Sequence, residues 1–190
     1  MSSSSRPEIL RATRTLIAKN GAQVSLAEVA SEAGVSRQAV YMHFGSRAGL
    51  LVALVRNMDE EAGIRQKLER ALLREDPVEA FRQFVKGWLR YAAEIQPVAS
   101  MLFAAREIDP AAAKAWEDRS RELRAGFRAA TVRLGKAGML RDGLSATSAA
   151  SLSWAICSVP VVEQLALDQE WSKDRVARQL TEAALGAITG

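Results

Sequence analysis

The sequence predicts an all-α protein in which a helix-turn-helix domain of three helices precedes a larger C-terminal helical bundle, with about nine helices in all. Three observations support this fold class. Apolar residues recur every three or four positions along most of the chain. No segment alternates apolar and polar residues as a β-strand does, and serine, proline and glycine stand where helices would begin and end. We place the domain boundary so that residues 1–50 form the first domain and residues 51–190 the second.

The composition is typical of a folded, water-soluble protein. Hydrophobic residues make up 48% of the 190 residues and charged residues 25%, the usual balance for a globular domain. A single cysteine excludes an internal disulfide and favours a reducing, cytoplasmic compartment. With one histidine beside that cysteine, the usual His/Cys metal clusters are unsupported, and the sequence offers no nucleophile–base pair or phosphate-binding glycine loop. We therefore predict no metal, no cofactor and no enzymatic activity.

The N-terminal helices begin and end at residues suited to those positions. Pro7 fits the first turn of a helix that Gly21 ends. Ser25 and Glu28 have the spacing of a capping box and open a second helix, which ends before Gly34. Serines also open the third and fourth helices, at Ser36 and Ser46. These four short helices follow one another with only a few residues between them.

Longer helices are predicted beyond residue 60. Asp76-Pro77 and Asp109-Pro110 start two of them, and Gly138 ends the second. Pro97 is predicted to interrupt the first and to begin a short separate helix. A final helix follows Ser172.

One segment, Gly143–Val162, carries no charge for twenty residues, which is the length of a membrane span. Six of its residues are serine or threonine, and it also contains a glycine and a proline. We therefore predict a buried helix that opens at Ser145 and bends or breaks near Pro160, with no membrane anchor.

The segment from Ser25 to Phe44 has the pattern of a helix-turn-helix. Such a motif needs a small residue where its helices cross and a glycine between them, which Ala30 and Gly34 provide. Three valines suit the shared core: Val29, Val35 and Val40. The second helix would present Ser36–Ala39 to base edges, because arginine suits guanine, glutamine suits adenine and the alanine methyl suits thymine.

The residues after this reading edge are suited to the DNA backbone. Tyr41 and His43 carry hydrogen-bond donors, and Arg47 stands beside the unpaired backbone N–H groups of a helix start. Residues 1–52 hold six cations against three anions, whereas the other 138 residues hold 20 against 19. Positive charge is thus concentrated where phosphate binding would require it.

At these residues the chain resembles the TetR/AcrR family of one-component bacterial repressors. The resemblance covers Pro7 to about Leu51, and three segments carry it: Val24–Ala30, Ala33–Ser36 and Tyr41–Arg47. Two positions depart from the pattern of many relatives. Arg37–Val40 differs from their usual recognition helix, so no operator sequence can be transferred, and Gly49 costs the fourth helix about 1 kcal/mol in propensity.

The resemblance implies a cytoplasmic regulator that binds a pseudo-palindromic DNA operator as a homodimer. Backbone phosphates would be contacted by Ser25, Tyr41, His43 and Arg47, and bases would be approached by Ser36, Arg37, Gln38 and Ala39. In the family the last two helices pair with those of a second subunit, and a small molecule in the C-terminal domain releases the operator. The resemblance favours a repressor, but the sequence leaves repression and activation both open.

The bundle offers six candidate residues for an effector site. They lie on apolar helix faces, where a largely apolar cavity would form: Trp88, Met101, Phe103, Trp116, Phe127 and Trp154. Each of them either lines such a cavity or simply packs in the core. An alternative function is a helical protein that binds a small molecule or a partner without specific DNA binding. The basic tip at Ser36–Gln38 and at Arg47 favours the regulator.

Overall fold

A computed structural model describes residues 5–21 and 24–190, and the regular secondary structure of these residues is entirely helical. An isolated bridge between Leu140 and Thr189 is the one strand-like pairing in this part of the chain. The all-α prediction is confirmed. The helices are α1 (Ser5–Asn20), α2 (Leu26–Glu32), α3 (Arg37–Phe44), α4 (Arg47–Ala62), α5 (Ile64–Leu72), α6 (Pro77–Ala105), α7 (Pro110–Lys136), α8 (Ala146–Ile156), α9 (Val159–Glu163), which continues into a π-helical segment (Gln164–Asp168), and α10 (Lys173–Ile188).

The chain divides into two compact units. The first unit comprises residues up to 61 together with 97–116, and the second comprises 62–96 and 117–190. Helices α6 and α7 therefore each contribute residues to both units. The predicted division at residue 50 stays a prediction.

The first unit is built around the apolar face of α1. One face of this helix is buried throughout: Ile9, Leu10, Thr13, Leu16 and Ile17. Helix α1 packs on α2, and α2 packs on α3. Val29, Val40 and Leu54 supply fully buried side chains from α2, α3 and α4. Of the three valines predicted for the helix-turn-helix core, Val29 and Val40 are buried and Val35 is half-buried.

The core of the second unit contains an aromatic pair. Phe84 of α6 and Phe127 of α7 meet edge to face with ring centroids 5.2 Å apart, and both are fully buried. The indole nitrogen of Trp88 donates a hydrogen bond of 2.8 Å to the carbonyl of Cys157. Such a bond satisfies the polar end of a buried tryptophan and ties α6 to the end of α8.

Two features of the stretch from α4 to α6 differ from the sequence prediction. Helix α6 runs unbroken from Pro77 to Ala105, so the predicted interruption at Pro97 is wrong. A proline inside a helix removes one hydrogen bond, but here the residues on either side are buried, among them Ile95, Val98 and Leu102. Their burial offsets that loss. Helix α5 has no counterpart in the prediction. It is separated from α4 by Gly63, which adopts the left-handed conformation with a φ of 57°.

The uncharged segment forms α8 and α9, which begin at Ser145 and break just before Pro160 as predicted. The prediction that it is buried is wrong for its outward face. Its most apolar stretch within Ala146–Asp168 is only 28% buried, and Leu152 is 45% exposed. By length and composition this run satisfies the criterion for a membrane span. One such helix is weak evidence, because core helices of water-soluble proteins satisfy the same criterion.

Cys157 gives a prediction that can be checked chemically. Its side chain is fully buried, and burial raises the pKa of its thiol to about 12. Since the thiolate is the reactive form, we expect the native protein at pH 8 not to react with a disulfide reagent such as DTNB. After unfolding in guanidinium chloride, the protein should release one equivalent of the reagent's coloured thiolate per chain. Rapid stoichiometric reaction of the native protein would contradict the burial.

The same shift affects stability at alkaline pH. The unfolded thiol titrates near the ordinary value of 9.0, below the folded pKa of about 12. Between these values the unfolded chain binds fewer protons than the folded chain. The free energy of unfolding therefore falls as the pH rises above about 9.

Candidate nucleic-acid interface

The predicted capping box at the start of α2 is present. The Ser25 hydroxyl accepts a hydrogen bond of 3.2 Å from the Glu28 backbone N–H, and the Ser25 backbone N–H donates one of 2.8 Å to Oε2 of Glu28. The same hydroxyl donates to that carboxylate oxygen at 2.7 Å. The hydrogen bonds from Ser25 lower the pKa of the Glu28 carboxyl, and the bond from the side chain has a larger effect than the bond from the backbone. A phosphate bound by the Ser25 hydroxyl would therefore have to replace Glu28 as the acceptor.

The turn between α2 and α3 is held by backbone hydrogen bonds. Gly34 lies in the left-handed region with a φ of 66°. Beyond it, the N–H of Val35 returns to the carbonyl of Ala30 at 3.0 Å. This is the pattern of a glycine-terminated helix, in which the residue after the glycine closes the last turn. With Ala30 buried at the crossing and Val40 buried below it, the orientation of α3 relative to α2 is fixed.

Helix α3 begins at a serine cap and turns its polar residues outward. The Ser36 hydroxyl accepts a hydrogen bond of 3.1 Å from the Ala39 N–H, and Val40 is only 1% exposed. At 3.6 residues per turn, Gln38 and Met42 each lie about 160° around the helix from Val40. They are therefore the two side chains farthest from the core, and Met42 is 66% exposed. No role is predicted for Met42 from the sequence, although its position four residues after Gln38 places both side chains on one face of the helix.

One flank of α3 faces a groove shared with the starts of α2 and α4. The groove holds about 590 Å³, and its walls bring together four of the predicted DNA-binding residues: Ser25, Arg37, Tyr41 and Arg47. Among the described residues that line it there are two arginines and no acidic side chain. Its positive charge and hydroxyl groups suit an anion such as a backbone phosphate.

The other flank of α3 is held by the start of α1. The Nε2 atom of His43 lies 2.6 Å from the Ser5 hydroxyl oxygen. The guanidinium of Arg6 lies 5.6 Å from the centre of the Phe44 ring, where it can make a cation–π contact. His43 thus lies away from the groove that Arg37 lines, and the eight predicted residues fall on two flanks and an outward edge.

The turn from α3 into α4 explains Gly49. A Cβ atom at this position would lie 2.0 Å from the carbonyl oxygen of Phe44, a separation at which atoms overlap. The Gly49 N–H donates a hydrogen bond of 2.9 Å to the Ser46 hydroxyl, which caps α4. Glycine at this position is therefore required by the close approach of α3, whatever it costs in helix propensity.

The geometry of these helices can be compared with that of known proteins. Residues 9–54 match the family described as bacterial regulatory proteins, tetR family. The match spans most of α1, all of α2 and α3, and the first half of α4, and so contains the residues that line the groove, whereas Ser5 and Arg6 precede it. A comparison with curated proteins found no match.

Solved structures of similar fold cover the whole chain. A transcriptional regulator from Saccharomonospora viridis in complex with choline superposes with a TM-score of 0.80 at 20% identity, covering 100% of both chains. The ketosteroid transcriptional regulator KstR2 of Mycobacterium tuberculosis gives 0.73 at 16% identity, covering 100% of this chain and 97% of that one. The TetR-family regulator PfmR from Thermus thermophilus gives 0.71 at 24% identity, covering 94% and 97%. These likenesses show a fold shared from end to end.

The six candidate effector residues fall into two groups. Met101, Phe103 and Trp116 belong to the first unit, and Trp88, Phe127 and Trp154 to the second. In the first group the rings of Phe103 and Trp116 meet at 4.9 Å, and the guanidinium of Arg106 lies 3.3 Å from the Phe103 ring centre. In the second group only Trp154 is half exposed, 5.2 Å from the Arg124 guanidinium. Trp88 and Phe127 have the contacts of core residues, and the assignment of all six to an effector site stays a prediction.

Proposed function

We propose that this TetR-family chain is a cytoplasmic, ligand-responsive transcriptional repressor, which binds a pseudo-palindromic DNA operator as a homodimer and is released from it by a small molecule. One observation carries the proposal: the helix-turn-helix presents an exposed helix edge beside a groove with two arginines and no acidic wall among the residues described there. A basic groove next to a reading helix is the arrangement that DNA-binding proteins use to hold one strand and read the bases.

The roles of the predicted residues follow from their positions. Ser25, Arg37, Tyr41 and Arg47 would hold phosphates of one strand in the groove. His43 would contact a phosphate on the other flank. Gln38 at the outward edge would read a base, with Ala39 beside it and with Ser36 capping the helix that carries both. Arg37 was first predicted to contact a base. We now assign it to the residues that contact phosphates, because it lines the same groove as Arg47.

The dimer would form through α8, α9 and α10. Helices α8 and α10 pack against each other, and their outward residues include apolar or small side chains such as Leu152, Ala155 and Ala183, which are exposed. A partner that covers this face would bury apolar surface that is otherwise in contact with water. In such a dimer the two α3 helices should meet half-sites about 34–36 Å apart.

The release by a small molecule rests on the shared fold and on the aromatic residues. The Saccharomonospora viridis regulator of the same fold was solved in complex with choline, so this fold accommodates a small ligand. In the present chain we propose a largely apolar effector near the half-buried aromatic side chains of the bundle, Phe103, Trp116 and Trp154. Titration of candidate compounds into a protein–DNA complex would identify it by the loss of the bound band.

DNA binding itself is tested by gel shift with the DNA that flanks the protein's own gene. Arg47→Ala should weaken binding to every duplex alike and should reduce the slope of log affinity against log salt by about one. Gln38→Ala should instead change the preference at one base position, by about 1–3 kcal/mol. Arg70→Ala, an exposed arginine on α5 of the second unit, serves as a matched control and should change neither.

Two results would count against the proposal. The absence of salt-sensitive binding to any such fragment would exclude specific DNA recognition and favour a helical protein that binds only a small molecule or a partner. Equal losses on every operator variant for both Arg47→Ala and Gln38→Ala would overturn the division into phosphate and base contacts.

A further inference from the structure

The centre of the outward face of α3 is occupied by two side chains of different chemistry. Gln38 and Met42 are four residues apart, and they lie on the same side of the helix because 3.6 residues complete one turn. Both are exposed, whereas Val40 on the opposite side is buried. The flanking positions belong to Arg37 and Tyr41 in the groove and to His43 near α1. Any base edge that approaches α3 along its middle therefore meets Gln38 and Met42 first.

Met42 is the more exposed of the two large apolar side chains of this helix that face solvent. It is 66% exposed, against 48% for Tyr41, and Tyr41 carries a hydroxyl that can reach a phosphate. A methionine thioether has neither a charge nor a strong donor, so it cannot hold a phosphate, but its flexible chain fits closely against an apolar group. In the major groove of DNA the apolar group available is the C5 methyl of thymine.

We propose that Met42 is a second base-reading residue, which contacts the C5 methyl of a thymine in each half-site. The inference rests on the proposed DNA-binding function and extends the reading edge from Ser36–Ala39 to Met42. Four residues of helix rise by about 6 Å, which corresponds to roughly two base-pair steps at 3.4 Å. The thymine should therefore lie about two positions from the base that Gln38 reads.

Replacement of single thymines by deoxyuridine tests this contact, because deoxyuridine lacks only the C5 methyl. Duplexes are first selected by the wild-type protein from a randomised pool, and each thymine of the selected duplex is then replaced in turn. For the wild type, one replacement per half-site should weaken binding about four-fold, the size expected for one buried methyl group. Met42→Ala should bind the unmodified duplex as weakly as the wild type binds the replaced one and should not respond to the same replacement.

Three further variants separate a base contact from a general loss. Met42→Leu keeps an apolar side chain and should restore the response to deoxyuridine, whereas Met42→Gln should not. Met139→Ala removes another exposed methionine, which lies in the second unit between α7 and α8, and should bind as the wild type does. Because Met42 is exposed, Met42→Ala should melt at the wild-type temperature.

The outcomes distinguish this inference from the proposed function. One outcome is that the wild type selects a duplex for which no deoxyuridine replacement weakens its binding more than it weakens binding by the Met42→Ala variant. In that case the thymine contact is wrong and the DNA-binding function stands. If the pool yields no selected duplex and binding does not depend on salt, both are overturned.

Discussion

Phe127→Ala is expected to lower the free energy of unfolding by about 3–5 kcal/mol, the usual loss when a fully buried phenylalanine is truncated. Phe127 is 0% exposed and packs edge to face on Phe84 at 5.2 Å. The ring of Phe84 also packs closely against the backbone of α7, since a Cβ added at Gly126 would lie 2.5 Å from its Cζ. Urea unfolding followed by circular dichroism at one protein concentration measures the loss.

This substitution also separates the two interpretations of the aromatic residues. A side chain that lines a cavity has neighbours on one side only, so its removal costs less than the removal of a packed one. Leu73→Ala, at a side chain in the second unit that is 81% exposed, is the matched control and should change stability by no more than about 0.5 kcal/mol. A loss below about 1 kcal/mol for Phe127→Ala would assign this ring to a cavity instead of the core.

Gly49→Ala is expected to destabilise the first unit by up to about 2 kcal/mol, because forcing an extra methyl group into a packed site costs about 1–3 kcal/mol. The added Cβ would overlap the carbonyl oxygen of Phe44, a backbone atom that can move only if α3 or α4 moves with it. Alanine would gain about 1 kcal/mol in helix propensity, which is too little to offset this overlap. Because α4 begins at Ser46 and Arg47, DNA affinity should fall together with stability.

Gly87→Ala provides the control for Gly49→Ala. Gly87 also lies inside a helix, α6, but a Cβ there would meet Cδ2 of Leu68 at 3.4 Å, an ordinary van der Waals distance. This variant should be more stable than the wild type by up to about 1 kcal/mol. If Gly49→Ala were stabilised to the same degree, the close approach of Phe44 to α4 would be refuted.

Helix starts were the most predictable part of the fold, because their signal is local. The hydroxyl or carboxylate of the capping residue bonds to a backbone N–H two or three residues later, as Ser36, Asp76 and Ser145 all do. The relevant groups are neighbours in sequence, so a short pattern determines them. The helix-turn-helix was predictable for the same reason, since its turn and its caps lie within about twenty residues.

The errors arose where distant residues decide the structure. The burial that keeps α6 intact through Pro97 comes from packing that no local pattern displays. Glycine is required at position 49 because of where the Phe44 carbonyl of α3 lies, and helix propensity alone does not reveal that position. Sorting Arg37 and His43 onto opposite flanks of α3 likewise required the positions of α1, α2 and α4.

The burial of the single thiol has a consequence for spectroscopy. Since Cys157 is buried and its thiol stays protonated near neutral pH, a cysteine introduced at an exposed position would be the only one to react with a probe. Lys19, exposed at the end of α1, is such a position on the first unit. In a homodimer, one spin label per protomer at this position would yield a single intersubunit distance, and the wild-type Cys157 could be kept in place throughout.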